Sequence, residues 1–393
     1  MTSVPSSLGL LTNQQAARLG EFREFVARHV QPCAVECDRA EKLPDAVVSR
    51  LAAAGYLGSS VPPEYGGQGW DTVTFGLLNE ALGRVSSSVT SVLTVQAMVS
   101  MSLVKWGTAE QKERWLPPLA RGELIGAFAL TEPGAGSATA ALETEFTHDA
   151  DDGDLVLNGH KKWITCGQMA GVFLVFGTVQ RRSVACLVPR DTPGVQVEPI
   201  SDLMGFRAAG LAQIRFCDVK VPSADVVGKA GLGLSHVAAV GLQYGRISTA
   251  WSAAGLLRGC FEESIAYAAQ RKIGERSLGD FGMIRSLIAR IGTDLEAGRL
   301  LCHSACLAED DRSPDAFEKA FMAKYFTSSA AVRGASEAVQ IRGASGCHGS
   351  SPVSRYYRDA KIMEVIEGTT QVHEDVLGKI FIGRAGGLRK SLV

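Results

Sequence analysis

The residue whose neighbours best suit it to act as a base is a glutamate near the C-terminal end of the chain. Glu367 follows the mostly apolar residues 362–366 and precedes Gly368. A carboxylate that is desolvated at the end of such a segment has a raised pKa and is a stronger base toward a carbon acid. A glutamate at a solvated helix end has the same local sequence, so the pattern alone leaves both interpretations open.

A glycine-rich segment, residues 130–137 (LTEPGAGS), has the composition of a ligand-binding turn. Its glycines expose backbone N–H groups and allow a ligand to approach the main chain closely. Thr139 stands where a GxGxxG fingerprint requires glycine, and no βαβ pattern surrounds the segment, which argues against a Rossmann nucleotide site. An ordinary tight turn between strands is the alternative interpretation.

Four segments together resemble the acyl-CoA dehydrogenase family, flavoenzymes that desaturate acyl thioesters. They are residues 61–69 (VPPEYGGQG), 130–137, 163–165 (WIT) and 358–371 (RDAKIMEVIEGTTQ). The resemblance implies that Glu367 abstracts the α-proton of the substrate. It also implies that the Glu367 backbone N–H and a ribityl hydroxyl of FAD stabilise the enolate-like oxyanion, while flavin N5 accepts the hydride. Some relatives carry the base elsewhere, at the position that is Gly245 here.

The resemblance also assigns residues to FAD binding, and it implies a homotetramer or at least a homodimer. Arg271 would reach the FAD pyrophosphate of a neighbouring subunit, because arginine makes bidentate, charge-assisted contacts with phosphates. The family pattern is altered around it, with Gly274, Glu275 and Gly282 in place of Phe, Gly and Gln. For Trp163, burial purely as core is the alternative. The residues assigned to FAD are Phe128, Leu130, Thr131, Gly136, Ser137, Trp163, Ile164, Thr165, Arg271, Gln340, Gly343, Thr369 and Gln371.

The acyl thioester substrate is assigned to Ser137, Gln243, Tyr244, Arg246 and Gly368. Gln243 replaces an aspartate that contacts pantetheine in CoA-using relatives, and the connection 177–183 is short. These features resemble the subgroup that acts on acyl-carrier-protein thioesters in polyketide extender-unit biosynthesis. The alternatives are an acyl-CoA dehydrogenase of short-chain or branched acyl catabolism, a flavin monooxygenase-like relative, and a non-catalytic acyl-binding paralogue. The expected electron acceptor is an electron-transfer flavoprotein or oxygen.

The elements that position these residues can be predicted from the sequence, whose pattern is helical, then strand-like, then helical again. Residues 1–122 predict an N-terminal α-helical domain, 123–233 a middle antiparallel β domain and 234–393 a C-terminal α-helical bundle, an α+β fold of the acyl-CoA dehydrogenase type. Thr108 and Gln111 have the spacing of a capping box at a helix start. The helical run 358–366 is predicted to break at Gly368, and a second helix is predicted to begin within 369–371.

The composition of the chain limits the classes of partner and the cellular location that we expect for it. The chain has 393 residues and a formal net charge of −1, which gives no reason to expect nucleic acid or an anionic membrane as a partner. We recognise no signal peptide and no apolar run long enough to span a bilayer. Nine scattered cysteines predict free thiols and a cytoplasmic protein. The segment with Cys302, His303 and Cys306 lacks a second ligand pair, so we predict no metal site.

Overall fold

Six α-helices precede the first strand within the described residues, 10–149 and 153–391 of this computed structural model. The helix α6 begins with the predicted capping box, in which Thr108 Oγ1 accepts from the N–H of Gln111 and the Gln111 side chain accepts from the N–H of Thr108. The six helices are α1 (Asn13–His29), α2 (Ala34–Ala40), α3 (Asp45–Ala53), α4 (Thr72–Gly83), α5 (Ser87–Trp106) and α6 (Ala109–Ala120).

The described part of the middle region forms a seven-stranded sheet in the order β1-β4-β2-β3-β7-β6, with β5 also paired to β4. Alternate side chains of these strands build its core, which contains Phe146, Leu157, Phe173, Ile214 and Phe216. The strands are β1 (Gly126–Ala129), β2 (Glu145–His148), β3 (Leu155–Ile164), β4 (Val172–Val179), β5 (Arg182–Pro189), β6 (Val195–Pro199) and β7 (Ala212–Val221).

The fold class agrees with the sequence, but the sheet is mixed rather than wholly antiparallel. Strand β4 pairs in parallel with both β1 and β2, and antiparallel with β5. A parallel pair cannot be closed by a hairpin and needs a long connection. Residues 130–171, which include the β2–β3 hairpin, provide that connection between β1 and β4. The strand-like pattern of residues 123–233 predicted an antiparallel domain and contains no local signal for this crossover.

Helices return after the sheet. A π-helical turn, Gly233–Ala238, leads into the long helix α7 (Ala239–Gln270), and a short hairpin of β8 (Lys272–Ile273) and β9 (Arg276–Ser277) follows. Four more helices follow in the described part of the chain: α8 (Gly282–Asp310), α9 (Ala316–Arg342), α10 (Pro352–Met363) and α11 (Thr370–Ser391).

The chain divides into two compact units. The helical unit comprises Met1–Val35, Asp71–Ser87 and Arg246–Val393, and the sheet unit comprises Glu36–Trp70 and Ser88–Gly245. Within the helical unit, a buried Glu80 on α4 accepts from Arg258 on α7 at 2.9 Å and lies 3.0 Å from Arg299 on α8. Paired buried charges of this kind tie the three helices together. The division into domains at 122 and 233 stays a prediction.

The helix α5 corrects one expectation from the sequence. It spans 20 residues, Ser87–Trp106, and an 18-residue window within it has a mean hydropathy of 1.4, so by length and composition it is long and apolar enough to cross a bilayer. The prediction that the chain has no such run was wrong. Of that window, 94% is buried inside the folded protein, as is typical of the core helix of a globular domain.

Candidate active site

Glu367 lies in a tight turn between α10 and α11. The helix α10 ends at Met363 rather than at the predicted Ile366, and α11 begins at Thr370 as predicted. Glu367 has φ 54° and Gly368 has φ 98°, so two successive residues adopt the left-handed conformation. A non-glycine residue rarely does so, and such strain is concentrated at functional sites.

The carboxylate of Glu367 is desolvated, and the apolar residues before it differ in exposure, with Met363 fully buried. Val365 is 54% exposed. The buried charges that act on the carboxylate are Arg246 on α7 and Lys324 on α9. The oxygen Oε2 of Glu367 is buried and has no hydrogen-bond partner among the described residues. Burial raises the pKa of Glu367 to about 7, while Arg246 and then Lys324 act in the opposite direction. The group is therefore available as a base near neutral pH.

Arg246, assigned to the substrate from the sequence, is close enough to Glu367 for their charges to interact. Its guanidinium carbon lies 4.2 Å from the ring centroid of Phe321 and 5.6 Å from that of Phe317. Burial lowers the pKa of Arg246 to about 10, and the charge of Glu367 opposes this effect. The arginine remains a cation at neutral pH, held over aromatic faces beside the carboxylate.

Two further residues of this cluster were missed by the sequence analysis. Lys324 Nζ donates to the Gly368 carbonyl at 2.6 Å, and His373 Nε2 lies 3.2 Å from the Glu367 carbonyl. A signal for the lysine does exist in the sequence. Lys324 stands in the buried stripe of α9 that is formed by Phe321, Ser328 and Ala331, where an apolar residue is the norm.

The two FAD segments predicted in the sheet unit lie side by side. The N–H of Lys162 donates to the Thr131 carbonyl at 2.9 Å, and Lys161 Nζ donates to the Leu130 carbonyl at 3.0 Å. Lys161 also forms a buried ion pair with Glu132, with 2.6 Å between Nζ and Oε1. Lys161 was missed by the sequence analysis, although it follows Leu155 and Leu157 at the inward-facing parity of β3.

The surface of these segments fits a flat aromatic ligand. Trp163 has φ 64° and is 49% exposed, which excludes the alternative of a buried core tryptophan. An exposed indole face suits stacking against a ring system such as a flavin. Gly136 has open space on the side where a side chain would be, so a ligand can approach its backbone. These residues fit FAD, which would be contacted by the exposed Trp163 and Ser137 and by the half-buried Thr131 and Thr165.

Other assigned residues are more buried. Phe128 is 8% exposed and its ring centroid lies 4.6 Å from that of Phe176, while Leu130 is also nearly buried. The side chain of Ile164 belongs to the sheet core, so only its backbone can face a ligand. The predicted substrate residues Gln243 and Tyr244 are buried within the sheet unit.

The remaining predicted FAD residues belong to the helical unit, and three of them, Arg271, Gln340 and Gly343, lie away from the Glu367 cluster. Arg271 is exposed just beyond the end of α7, where the helical rise places it roughly 37 Å from Arg246. Gln340 and Gly343 are exposed at the end of α9, and the rise places Gln340 roughly 24 Å from Lys324. Thr369 and Gln371 flank the start of α11 and adjoin the cluster.

Three family models match consecutive parts of the chain. The model of the acyl-CoA dehydrogenase N-terminal domain matches residues 12–123, that of the middle domain matches 127–219 and that of the C-terminal domain matches 233–381.

Individual proteins are similar over nearly the whole length. The mitochondrial short-chain specific acyl-CoA dehydrogenase of Mus musculus is 33% identical over 361 residues, which are 90% of this chain and 87% of the mouse protein. The structure of butyryl-CoA dehydrogenase from Megasphaera elsdenii matches with a TM-score of 0.92 and 31% identity, covering 95% of this chain and 99% of that one. The structure of FkbI, described as serving biosynthesis of a methoxymalonyl polyketide extender unit, matches with a TM-score of 0.85 and 32% identity, covering 93% and 99%.

Proposed function

The chain belongs to the acyl-CoA dehydrogenase family, and we propose that it desaturates an acyl thioester with Glu367 as the base. As a member of this family it is an FAD-dependent oxidoreductase that acts on CH–CH bonds. The observation that carries the proposal is the Glu367 carboxylate itself. It has a buried oxygen without a partner in the described ranges, and burial raises its pKa to about 7.

The reaction begins when Glu367 takes the α-proton of the thioester on its carboxylate. The electron pair of the broken Cα–H bond becomes the new Cα=Cβ bond, and a hydride leaves Cβ. FAD, when bound, supplies the acceptor for that hydride. Across residues 10–149 and 153–391, no acceptor takes the backbone N–H of Glu367, so this donor is free to polarise the thioester carbonyl and stabilise the developing oxyanion. Arg246 and Lys324 help to hold Glu367 ionised before the proton moves.

We propose that FAD is shared between subunits of a homotetramer or homodimer. Trp163, Thr131 and Ser137 would contact the flavin and phosphates bound to their own subunit. Arg271 and Gln340 would serve the FAD of a neighbour. Along their helices, Arg271 lies roughly 37 Å from Arg246 and Gln340 roughly 24 Å from Lys324. These separations support the division, because residues at opposite ends of the helices of one subunit would otherwise have to contact the same FAD. We also propose an electron-transfer flavoprotein as acceptor and a cytoplasmic location, which the free cysteines fit.

We propose an acyl-carrier-protein thioester as the substrate, with secondary metabolism as its setting. In support, β4 and β5 are joined by a two-residue turn, Gln180 and Arg181, with φ 48° and 62° as in a type I′ hairpin. Arg181 in the turn and Arg182 at the start of β5 are both exposed to solvent. Two arginines on a short turn suit contact with the acidic face of a carrier protein. Similarity to the mouse short-chain enzyme favours the second candidate, an acyl-CoA of catabolism.

Anaerobic flavin reduction separates the two candidates. The protein is expected to purify yellow with bound FAD, and a short acyl group on its cognate carrier protein should bleach the flavin faster than the same group on CoA. Changing Arg181 and Arg182 together to glutamate should slow only the carrier-linked reaction, and added salt should weaken that preference. A matched double charge reversal at the exposed Arg28 and Lys42 should leave both rates unchanged. Equal or faster bleaching by the CoA thioester would reject the carrier and favour catabolism.

A further inference from the structure

The turn that carries Glu367 is held by two buried side chains. The Glu367 carbonyl oxygen lies 3.2 Å from His373 Nε2. The Gly368 carbonyl oxygen accepts a hydrogen bond from Lys324 Nζ at 2.6 Å. Lys324 and His373 are both 0% exposed, and they lie on α9 and α11. A carbonyl oxygen only accepts, so the imidazole nitrogen that faces Glu367 must carry its proton. Successive peptide units of the turn are thus tied to two different helices.

We propose that Lys324 and His373 are positioning residues that hold the Glu367–Gly368 turn so that the carboxylate and its backbone N–H are aimed at the substrate. This inference rests on the proposed role of Glu367 as the base. A left-handed glutamate is conformationally strained and persists only where its surroundings fix it. A fixed peptide plane matters here because it sets the direction of both the side chain and the N–H group of Glu367. Small misplacements of a catalytic group reduce rates strongly.

The two residues differ in charge, which makes their contributions separable. Burial lowers the pKa of His373 to about 4, the charges of Lys324 and Arg246 lower it further, and the backbone of Glu367 and of Phe321 acts in the opposite direction. The imidazole is therefore neutral at neutral pH. His373 contributes a hydrogen bond to the turn, and no charge.

Lys324 contributes a hydrogen bond and, in its protonated form, a charge. Burial lowers the pKa of Lys324 to about 7, and the carboxylate of Glu367 opposes this effect. The charged and titratable groups around the turn are Arg246 on α7, Lys324 on α9, Glu364 after α10 and His373 on α11. Because the charge of Lys324 favours ionised Glu367, its removal makes the carboxylate harder to ionise. The base must be ionised to act, so flavin reduction should rise with pH, be half-maximal near 7 in the native protein and be half-maximal at a higher pH without this charge.

The test measures anaerobic flavin reduction by a short-chain acyl-CoA over a range of pH and substrate concentration, which yields the limiting rate and Kd separately. His373→Leu should lower the limiting rate roughly 10- to 100-fold with little change in Kd or in the pH midpoint. His373→Gln keeps a donor and should restore most of the rate. Lys324→Met should lower the rate and raise the pH midpoint, while Lys324→Gln, which keeps a donor without charge, should mainly raise the midpoint. Lys319→Met is the matched control on α9, since Lys319 is half-exposed and pairs with Asp315, and it should change neither value.

The inference is overturned if His373→Gln is as slow as His373→Leu, or if both lysine variants keep the native pH midpoint. It is also overturned if all four variants reduce flavin at the native rate. The two glutamine variants keep a hydrogen-bond donor and provide the test if the leucine or methionine variants do not fold. Glu367→Gln distinguishes a failure of this inference from a failure of the proposed role of Glu367 as the base. A native rate in that variant would reject Glu367 as the base, whereas a slow Glu367→Gln beside normal His373 and Lys324 variants would reject the positioning role alone.

Discussion

Replacing Glu367 by glutamine is expected to slow substrate-driven flavin reduction by roughly 10²- to 10⁴-fold, the range for loss of a positioned general base. The amide has nearly the shape of the carboxylate but cannot accept the α-proton. FAD content and the Kd for substrate should change little, because the loss falls on the chemical step. The measurement is rapid mixing of the purified variant with an acyl thioester in the absence of oxygen, followed by the absorbance of oxidised flavin.

Glu374→Gln is the matched control for this substitution. Glu374 lies on α11, is exposed and accepts from the hydroxyl of Tyr325 at 3.1 Å, so the same chemical change there should leave the rate at its native value. Reduction of the Glu367→Gln flavin at the native rate would mean that another group removes the proton.

Replacing Lys161 by methionine is expected to destabilise the protein by about 3–5 kcal/mol, the usual effect of removing one partner of a buried ion pair. Lys161 is 0% exposed and pairs with Glu132, whose carboxylate also accepts from the N–H groups of Glu143 at 2.6 Å and Thr144 at 3.0 Å. Loss of the lysine leaves that carboxylate buried without its counter-ion. It also removes the donor to the Leu130 carbonyl, so FAD should be retained less well on dilution. Denaturant unfolding and the ratio of flavin to protein absorbance measure the two effects.

Lys220→Met controls for the loss of a lysine in the same sheet. Lys220 is on β7 and pairs with Asp149 at 3.0 Å, but its side chain is 66% exposed. A surface pair contributes about 0–1 kcal/mol, so the control should unfold near the native denaturant midpoint and keep its FAD. If Lys161→Met behaves like Lys220→Met, the buried pair does not anchor the 130–137 segment.

The local features of the site could be predicted because they depend on neighbours in sequence. The turn at Gly368, the start of α11 and the capping box at Thr108 all follow from side-chain and backbone chemistry within a few residues. The pairing of the 130–137 segment with Trp163 came instead from the family resemblance, and the hydrogen bond from Lys162 to Thr131 confirms that the two segments are adjacent.

The groups that support Glu367 could not be predicted in this way. Lys324 is 43 positions before it in the chain, and only the packing of α9 against the turn makes this lysine a partner of Gly368. Of the apolar residues to which the sequence analysis attributed desolvation, Met363 is fully buried and Val365 is largely exposed, whereas the buried charges that act on the carboxylate come from α7 and α9. Burial of a polar group depends on tertiary contacts, which a local pattern does not contain. A lysine within the buried stripe of α9 was the available signal.

The most direct test of the account is exchange of the α-proton with solvent, because it isolates the role of Glu367 from hydride transfer. An acyl thioester whose β-carbon carries no hydrogen can lose its α-proton but cannot be oxidised. In D2O, the FAD-loaded native protein and Glu374→Gln should both introduce deuterium at the α-carbon, as detected by NMR or mass spectrometry of the recovered thioester. Glu367→Gln should leave the α-position unlabelled over the same time. Exchange at the native rate in Glu367→Gln, or none in the native protein, would contradict the assignment of Glu367 as the base.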